Sequence, residues 1–211
     1  MKKVILLVVV FATVLTAFTG VKKEKTTVND AVAIENSVVV NNVNLEASVL
    51  TWKGSKPTGS HNGTVALQSG DLVVENGTLT QGVFVVDMNT ITNTDMAGSD
   101  GAAKIEGHLK AADFFDVAQY PTSKFVITSV VEEEGKLLVT GNLTIKAITK
   151  SISIPASLST EDGISTFKSD VFTIDRTDFN VKYGSKSFFD GLKDKFINDL
   201  VEMSFEVVTK A

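Results

Sequence analysis

Asp71-Leu72-Val73-Val74-Glu75-Asn76-Gly77-Thr78-Leu79-Thr80-Gln81-Gly82-Val83-Phe84-Val85-Val86-Asp87-Met88 is the stretch whose reading decides the fold. Asn76-Gly77 suits a two-residue type I′ turn, because both central positions of that turn need positive φ. The runs on either side, Asp71–Glu75 and Thr78–Met88, are valine-rich and are expected to pair as an antiparallel hairpin. Val83 and Val85 are inward candidates on the second arm, although alternation alone leaves open whether odd or even positions face inward.

Working outward, the same period of two continues. Leu45, Ala47, Val49 and Thr51 alternate with Glu46, Ser48, Leu50 and Trp52. Thr64–Gln68 reads as a short run that ends at Ser69-Gly70. Lys124–Val131 and Lys136–Ile145 flank the acidic tip Glu132-Glu133-Glu134-Gly135, a second hairpin. Ile148–Leu158, Ser165–Ile174 and Leu200–Thr209 complete about eight strands. Two segments break the rhythm. Ala102–Ala112 is rich in helix formers, and Phe188–Ile197 sets Leu192 and Phe196 four residues apart on one helical face. The expected fold is all-β: an extended eight-stranded antiparallel barrel with one or two short helical insertions. Closure removes exposed edges, and such a barrel has room for one ligand. A sandwich is the architectural alternative. A membrane-spanning barrel is disfavoured, because its aromatic girdles would draw on one Trp and two Tyr.

The 211 residues are 43% hydrophobic and 21% charged, which suits one globular domain with appendages. Cysteine is absent, so there is no thiol nucleophile, disulfide or N-terminal lipid attachment. The net charge of −5, with Arg176 the only arginine, argues against nucleic acid as a partner. Lys2 and Lys3 precede an apolar run from Val4 to Phe18, the pattern of an export signal and short for a membrane span of about 20 residues. Residues 1–20 are therefore read as a signal, residues 21–42 as a polar tether and residues 43–209 as the barrel. The expected location is the periplasm, with a retained signal-anchor as the alternative.

No nucleophile elbow, phosphate loop, dinucleotide fingerprint or His-Glu-x-x-His motif occurs. His61 lies in the turn-like Gly59-Ser60-His61-Asn62-Gly63, and His108 in the expected helix. His108 and Glu106 face different directions and make no ligand pair. Asp113 and Asp116 bracket Phe114-Phe115 and read as turn caps rather than an acid–base pair. Neither metal nor cofactor is expected, and the chain does not read as an enzyme. A His-dependent hydrolase stays open only if His61, His108 and an acid converge.

Ser48-x-x-x-Trp52-x-Gly54-x-Lys56-x-x-Gly59-x-His61-x-Gly63 resembles the opening motif of the YceI-like family, lipocalin-like periplasmic proteins associated with polyisoprenoid binding. Further stretches agree in order. Phe84 to Ile91 is similar to a second block. Gly107-His108-Leu109-Lys110-Ala111-Ala112-Asp113-Phe114-Phe115-Asp116-Val117, with Tyr120-Pro121-Thr122 and Phe125, is similar to the most distinctive one. Val139 to Lys150 and Arg176-x-Asp178-Phe179 resemble later blocks. Ala147 stands where the family often has Gly, which implies ordinary β backbone there. Asn180 replaces another Gly, and asparagine tolerates the left-handed region.

The resemblance implies a lipocalin-like barrel with an apolar tunnel for an isoprenoid or other long-chain lipid. From strand alternation the tunnel is expected to be a continuous apolar channel, and transient membrane contact is a further partner to be considered. From residue type and motif position, Trp52, Lys56, His61, Phe84, His108, Phe114, Phe115, Arg176 and Phe179 are the candidate ligand-binding residues. Lys56, His61, His108 and Arg176 would meet a head group. Trp52, Phe114 and Phe115 could equally be a plug that closes one barrel end. A filled-barrel scaffold or stress-response interaction protein without a ligand is the alternative function.

Overall fold

The computed structural model describes residue 26, residues 28–31 and residues 42–211. The expected signal, residues 1–20, lies outside the described residues. The strands are β1 (Val28–Asp30), β2 (Val49–Lys56), β3 (Gly59–Glu75), β4 (Thr78–Asn93), β5 (Thr122–Glu133), β6 (Lys136–Ile145), β7 (Ile148–Glu161), β8 (Ile164–Ser169), β9 (Phe172–Asp175) and β10 (Leu200–Val208). Among the described residues, one helix, α1 (Asp100–Lys110), and 3-10 turns at Arg176–Phe179 and Lys193–Lys195 interrupt them.

Every neighbouring pair is antiparallel, and eight strands close into a barrel. β2 through β8 pair in succession, β8 pairs β10, and β10 returns to β2 through Met203 opposite Trp52. The seam between β7 and β10 is shared. β8 covers Ala156–Glu161 of β7, while β1 pairs Ser151 with Asn29 further along the strand. β9 covers the first half of β10, and Thr26 N–H donates to Thr173 O at 3.2 Å. Part of the lead read as a tether is thus strand, bridging the seam.

The hairpin that decided the reading forms, with Asn76 at φ 52° and Gly77 at φ 80°. Glu134-Gly135 and Asp162-Gly163 repeat that backbone. Lys146-Ala147 does too, at φ 49° and 59°, which overturns the ordinary β conformation expected at Ala147. Ile145 pairs Ile148, so only two residues connect the strands, and the strand twist then demands positive φ at both whatever their side chains. Asn180 is left-handed as well, at φ 59°.

Three more local readings are corrected. Ser69-Gly70 does not end a strand. It lies in bulged β3, where a side chain at 70 would press within 2.9 Å of Val43. Gly59–Gly63 is the start of β3 rather than a turn. Phe188–Ile197 is not a helix, because Gly191 (φ 76°) and Lys193 (φ 48°) break it and leave one 3-10 turn. The expected helix at 102–112 forms as α1, its N-terminus capped by Ser99 Oγ, which accepts from Ala102 N–H at 3.1 Å.

Antiparallel order sends the turns at 76–77, 134–135 and 162–163 to one barrel end. The β2–β3 turn, α1, the β6–β7 turn and residues 176–199 sit at the other. The first end is solidly packed by Leu72, Leu79, Val139 and Phe167, each at most 2% exposed. Phe167 stacks on Phe84 at 6.1 Å and meets Phe205 at 4.8 Å between ring centres.

Candidate functional site

The opposite half of the barrel is open. A cavity of about 360 Å³ is enclosed by inward residues of the strands and covered by α1 and the segment before β10. Its wall is almost wholly aliphatic and aromatic, with Val65 and Leu67 on β3, Ile152 and Ile154 on β7, and Met203 and Phe205 on β10. On β4 the inward residues are Phe84, Val86 and Met88, so the expectation of Val83 or Val85 is corrected to the even positions. Stacking of Phe84 on Phe167 fixes that choice, since a one-residue slip would turn every side chain of the strand over. The expected continuous tunnel is also corrected. Leu72, Leu79, Val139 and Phe167 belong to the core but not to the cavity wall, so the cavity ends blind against them.

The exposed residues Lys56, Gly59 and Ser60 bring solvent to the wall at the β2–β3 turn. Ile105 and His108 of α1, together with Ile197, border the same end. Trp52 stands below Lys56 on β2, its ring over Gly63, where an added Cβ would come within 2.7 Å. Its indole Nε1 is buried and has no acceptor among the described residues.

His61, on β3, is oriented by a carboxylate. Its Nδ1 lies 2.9 Å from Asp95 Oδ2, while Asp95 Oδ1 accepts from Asn62 N–H at 2.9 Å and Asn93 Nδ2 at 2.6 Å. The Asn62 N–H, followed by His61, holds the Asp95 carboxyl down from its ordinary range to about 2. His108 instead packs edge-on against Tyr183 at 4.4 Å and Phe114 at 5.5 Å, with Nε2 3.7 Å from Asp113 Oδ2. The two histidines take different carboxylates. Among the described residues no three His, Asp or Glu side chains cluster to hold a metal ion.

Arg176 is 2% exposed and committed to the wall. Its Nε donates to Asn198 O, Nη1 to Val181 O, and Nη2 to Ile197 O and Asp199 Oδ1, at 2.7–3.3 Å. Burial pushes its pKa below the ordinary value, an effect opposed by Asp199 and Asp175. Its guanidinium carbon also lies 5.6 Å from the centre of the Phe114 ring. Phe114 is also held at its backbone by Lys146 Nζ, which donates to its carbonyl at 2.8 Å, and its ring meets Phe115 at 5.1 Å. Phe179, fully buried, also lines the wall.

All nine residues singled out from the sequence border this one cavity. Sequence reading missed Asp95, Lys146 and the inward face of β10. The odd positions Val201, Met203, Phe205 and Val207 carry a clean alternation that could have marked that face. Asp95 and Lys146 act through contacts across strands, for which local spacing holds no signal.

Known proteins resemble the chain at two levels. The protein named YceI from Salmonella arizonae and that from Salmonella newport are each 37% identical over 71 residues. The match takes in 34% of this chain and 37% of the relative's length. Burkholderia cenocepacia BcnA has the same fold at 21% identity, with a TM-score of 0.64 over 80% of this chain and 99% of that one. A polyisoprenoid binding domain from Saccharophagus degradans does so at 16% identity, with a TM-score of 0.63 over 82% and 99%. The YceI-like domain matches residues 41–209, all of the closed barrel, and the chain belongs to the YceI-like family.

Proposed function

We propose that the protein binds a long-chain apolar lipid, a polyisoprenoid or similar, with the tail in the barrel cavity and the head group at the β2–β3 mouth. It would act in the periplasm as a carrier or storage protein, exported by the Lys2-Lys3 and Val4–Phe18 segment. The observation that carries this reading is the blind apolar cavity of about 360 Å³ in a closed barrel, within the range of about 300–1,000 Å³ typical of small-molecule sites. Each buried CH₂ contributes about 0.8 kcal/mol, so a hydrocarbon tail can bind without an ionic anchor. Lys56 and His61 are the head-group candidates. Arg176 is assigned to the wall, because four of its N–H groups already donate to protein oxygens. Binding rather than turnover is favoured by the separate carboxylate partners of His61 and His108.

Mass spectrometry of lipids extracted from the protein purified out of its native envelope tests the proposal. A stoichiometric polyprenyl or long-chain lipid is expected. Protein that emerges free of lipid, with nothing taken up on incubation with polyprenol, would favour the filled scaffold.

A further inference from the structure

The segment between the Arg176–Phe179 turn and β10 carries three half-exposed aromatic rings within seven residues. Tyr183 is 44% exposed, Phe188 49% and Phe189 50%; the other exposed large hydrophobics among the described residues are aliphatic and lie elsewhere in the sequence. These rings are held outward by structure. Ser185, fully buried, accepts from the backbone N–H of Phe188 and Phe189 through its carbonyl and from that of Ser187 through its hydroxyl. Ser187 Oγ in turn donates to Asp199 at 2.6 Å.

Lysines interleave the aromatics. Lys182 Nζ lies 4.5 Å from the centre of the Phe188 ring and Lys186 Nζ 4.7 Å from that of Phe196. Lys193 and Lys195 follow on an exposed turn. Residues 182–196 therefore hold four lysines against Asp190 and Asp194, a cationic patch on a chain of net charge −5. The patch adjoins the cavity's open end. Tyr183 touches His108 of the cavity wall, and Asn198 donates to Ser55 in the β2–β3 hairpin through both its backbone and its side chain, at 2.8 Å.

We propose that residues 182–196 are a docking surface for an anionic lipid membrane, with Phe188, Phe189 and Tyr183 seated at the boundary between head groups and acyl chains and the lysines on acidic head groups. Half-exposed rings beside ammonium groups match the two attractions that hold a protein on an acidic bilayer, apolar burial and charge. The rest of the chain carries a net negative charge with both signs interspersed, so this segment, where lysines outnumber acids, is the face that an acidic bilayer attracts. Docked there, the cavity end faces the bilayer, so a lipid could pass between membrane and barrel over a short path. The proposal rests on the lipid-cavity reading for its purpose but not for its test.

Hydrogen exchange of the full-length protein is measured with vesicles of phosphatidylglycerol and phosphatidylcholine, with vesicles of phosphatidylcholine alone, and without vesicles. Protection of residues 182–196 by the acidic vesicles alone is expected. It should weaken roughly fivefold in vesicle affinity for each of Lys193→Gln and Lys195→Gln. Phe188→Ser with Phe189→Ser should lose roughly tenfold. Polyprenol uptake from detergent reads the cavity separately and should be unchanged in these variants. Acidic vesicles that bind the protein without protecting 182–196 would overturn the proposal. So would protection that arises from raised protein concentration alone, which would assign the patch to a second copy of the chain.

Discussion

Asp95, just past the end of β4, and His61 on β3 form a hydrogen-bonded pair, with 2.9 Å between Oδ2 and Nδ1. The carboxylate is fixed by Asn62 and Asn93, so the imidazole at the cavity mouth is held in one orientation and its Nδ1 is the nitrogen turned to Asp95.

The low pKa of Asp95, about 2, has a consequence for stability. A carboxyl whose folded value is depressed binds fewer protons folded than unfolded, so its stabilisation is present above the unfolded value and is lost as pH falls through the folded one. Chemical denaturation between about pH 4 and pH 2 should therefore show a steeper loss in the parent than in Asp95→Asn. Equal slopes would mean that the pair contributes nothing to the folded state.

Ala147 at φ 59° stores strain that a glycine would not. A left-handed non-glycine residue costs of order 1–3 kcal/mol. Ala147→Gly should accordingly stabilise the protein by about 1 kcal/mol. For a chain of this size that raises Tm by roughly 2–4 °C, readable by calorimetry. A lower Tm would contradict the strain assigned to this turn.

Arg176 is the opposite case. Arg176→Met would leave the carbonyls of Val181, Ile197 and Asn198 without their donor and Asp199 without its partner. The expected loss is about 3–5 kcal/mol in urea denaturation. Had Arg176 been a head-group ligand, the variant would instead lose lipid at nearly unchanged stability.

The blind cavity separates two kinds of overpacking. Val139→Phe, in the packed end, should cost about 1–3 kcal/mol. Val86→Trp projects into the open half and should cost less while it excludes a long tail. Equal destabilisation of the two, with lipid retained by Val86→Trp, would argue that the cavity is not where a ligand sits.

The barrel was legible because closed antiparallel sheets write their pairing locally. Asn76-Gly77 sets a turn, and period-two valines set its arms. Less legible were features decided by register between distant strands. Whether Val83 or Phe84 faces inward depends on Phe167, more than 80 residues away, and the blind end of the cavity depends on how Leu72, Leu79 and Val139 meet across the barrel. At Ala147 residue type points to ordinary β backbone, yet a two-residue connection fixes the backbone first. The nine site residues were found through motif resemblance, whereas Asp95, which orients one of them, sits in no motif.

Trp52 is the only tryptophan and borders the cavity, so its fluorescence reports the central claim directly. Titration of the delipidated protein with a long-chain polyprenol should shift Trp52 emission and saturate at one ligand per chain, and Val86→Trp/Trp52→Phe should show no comparable saturable response. An unshifted Trp52 in the parent, or lipid uptake by the double variant equal to that of the parent, would contradict a lipid site inside the barrel.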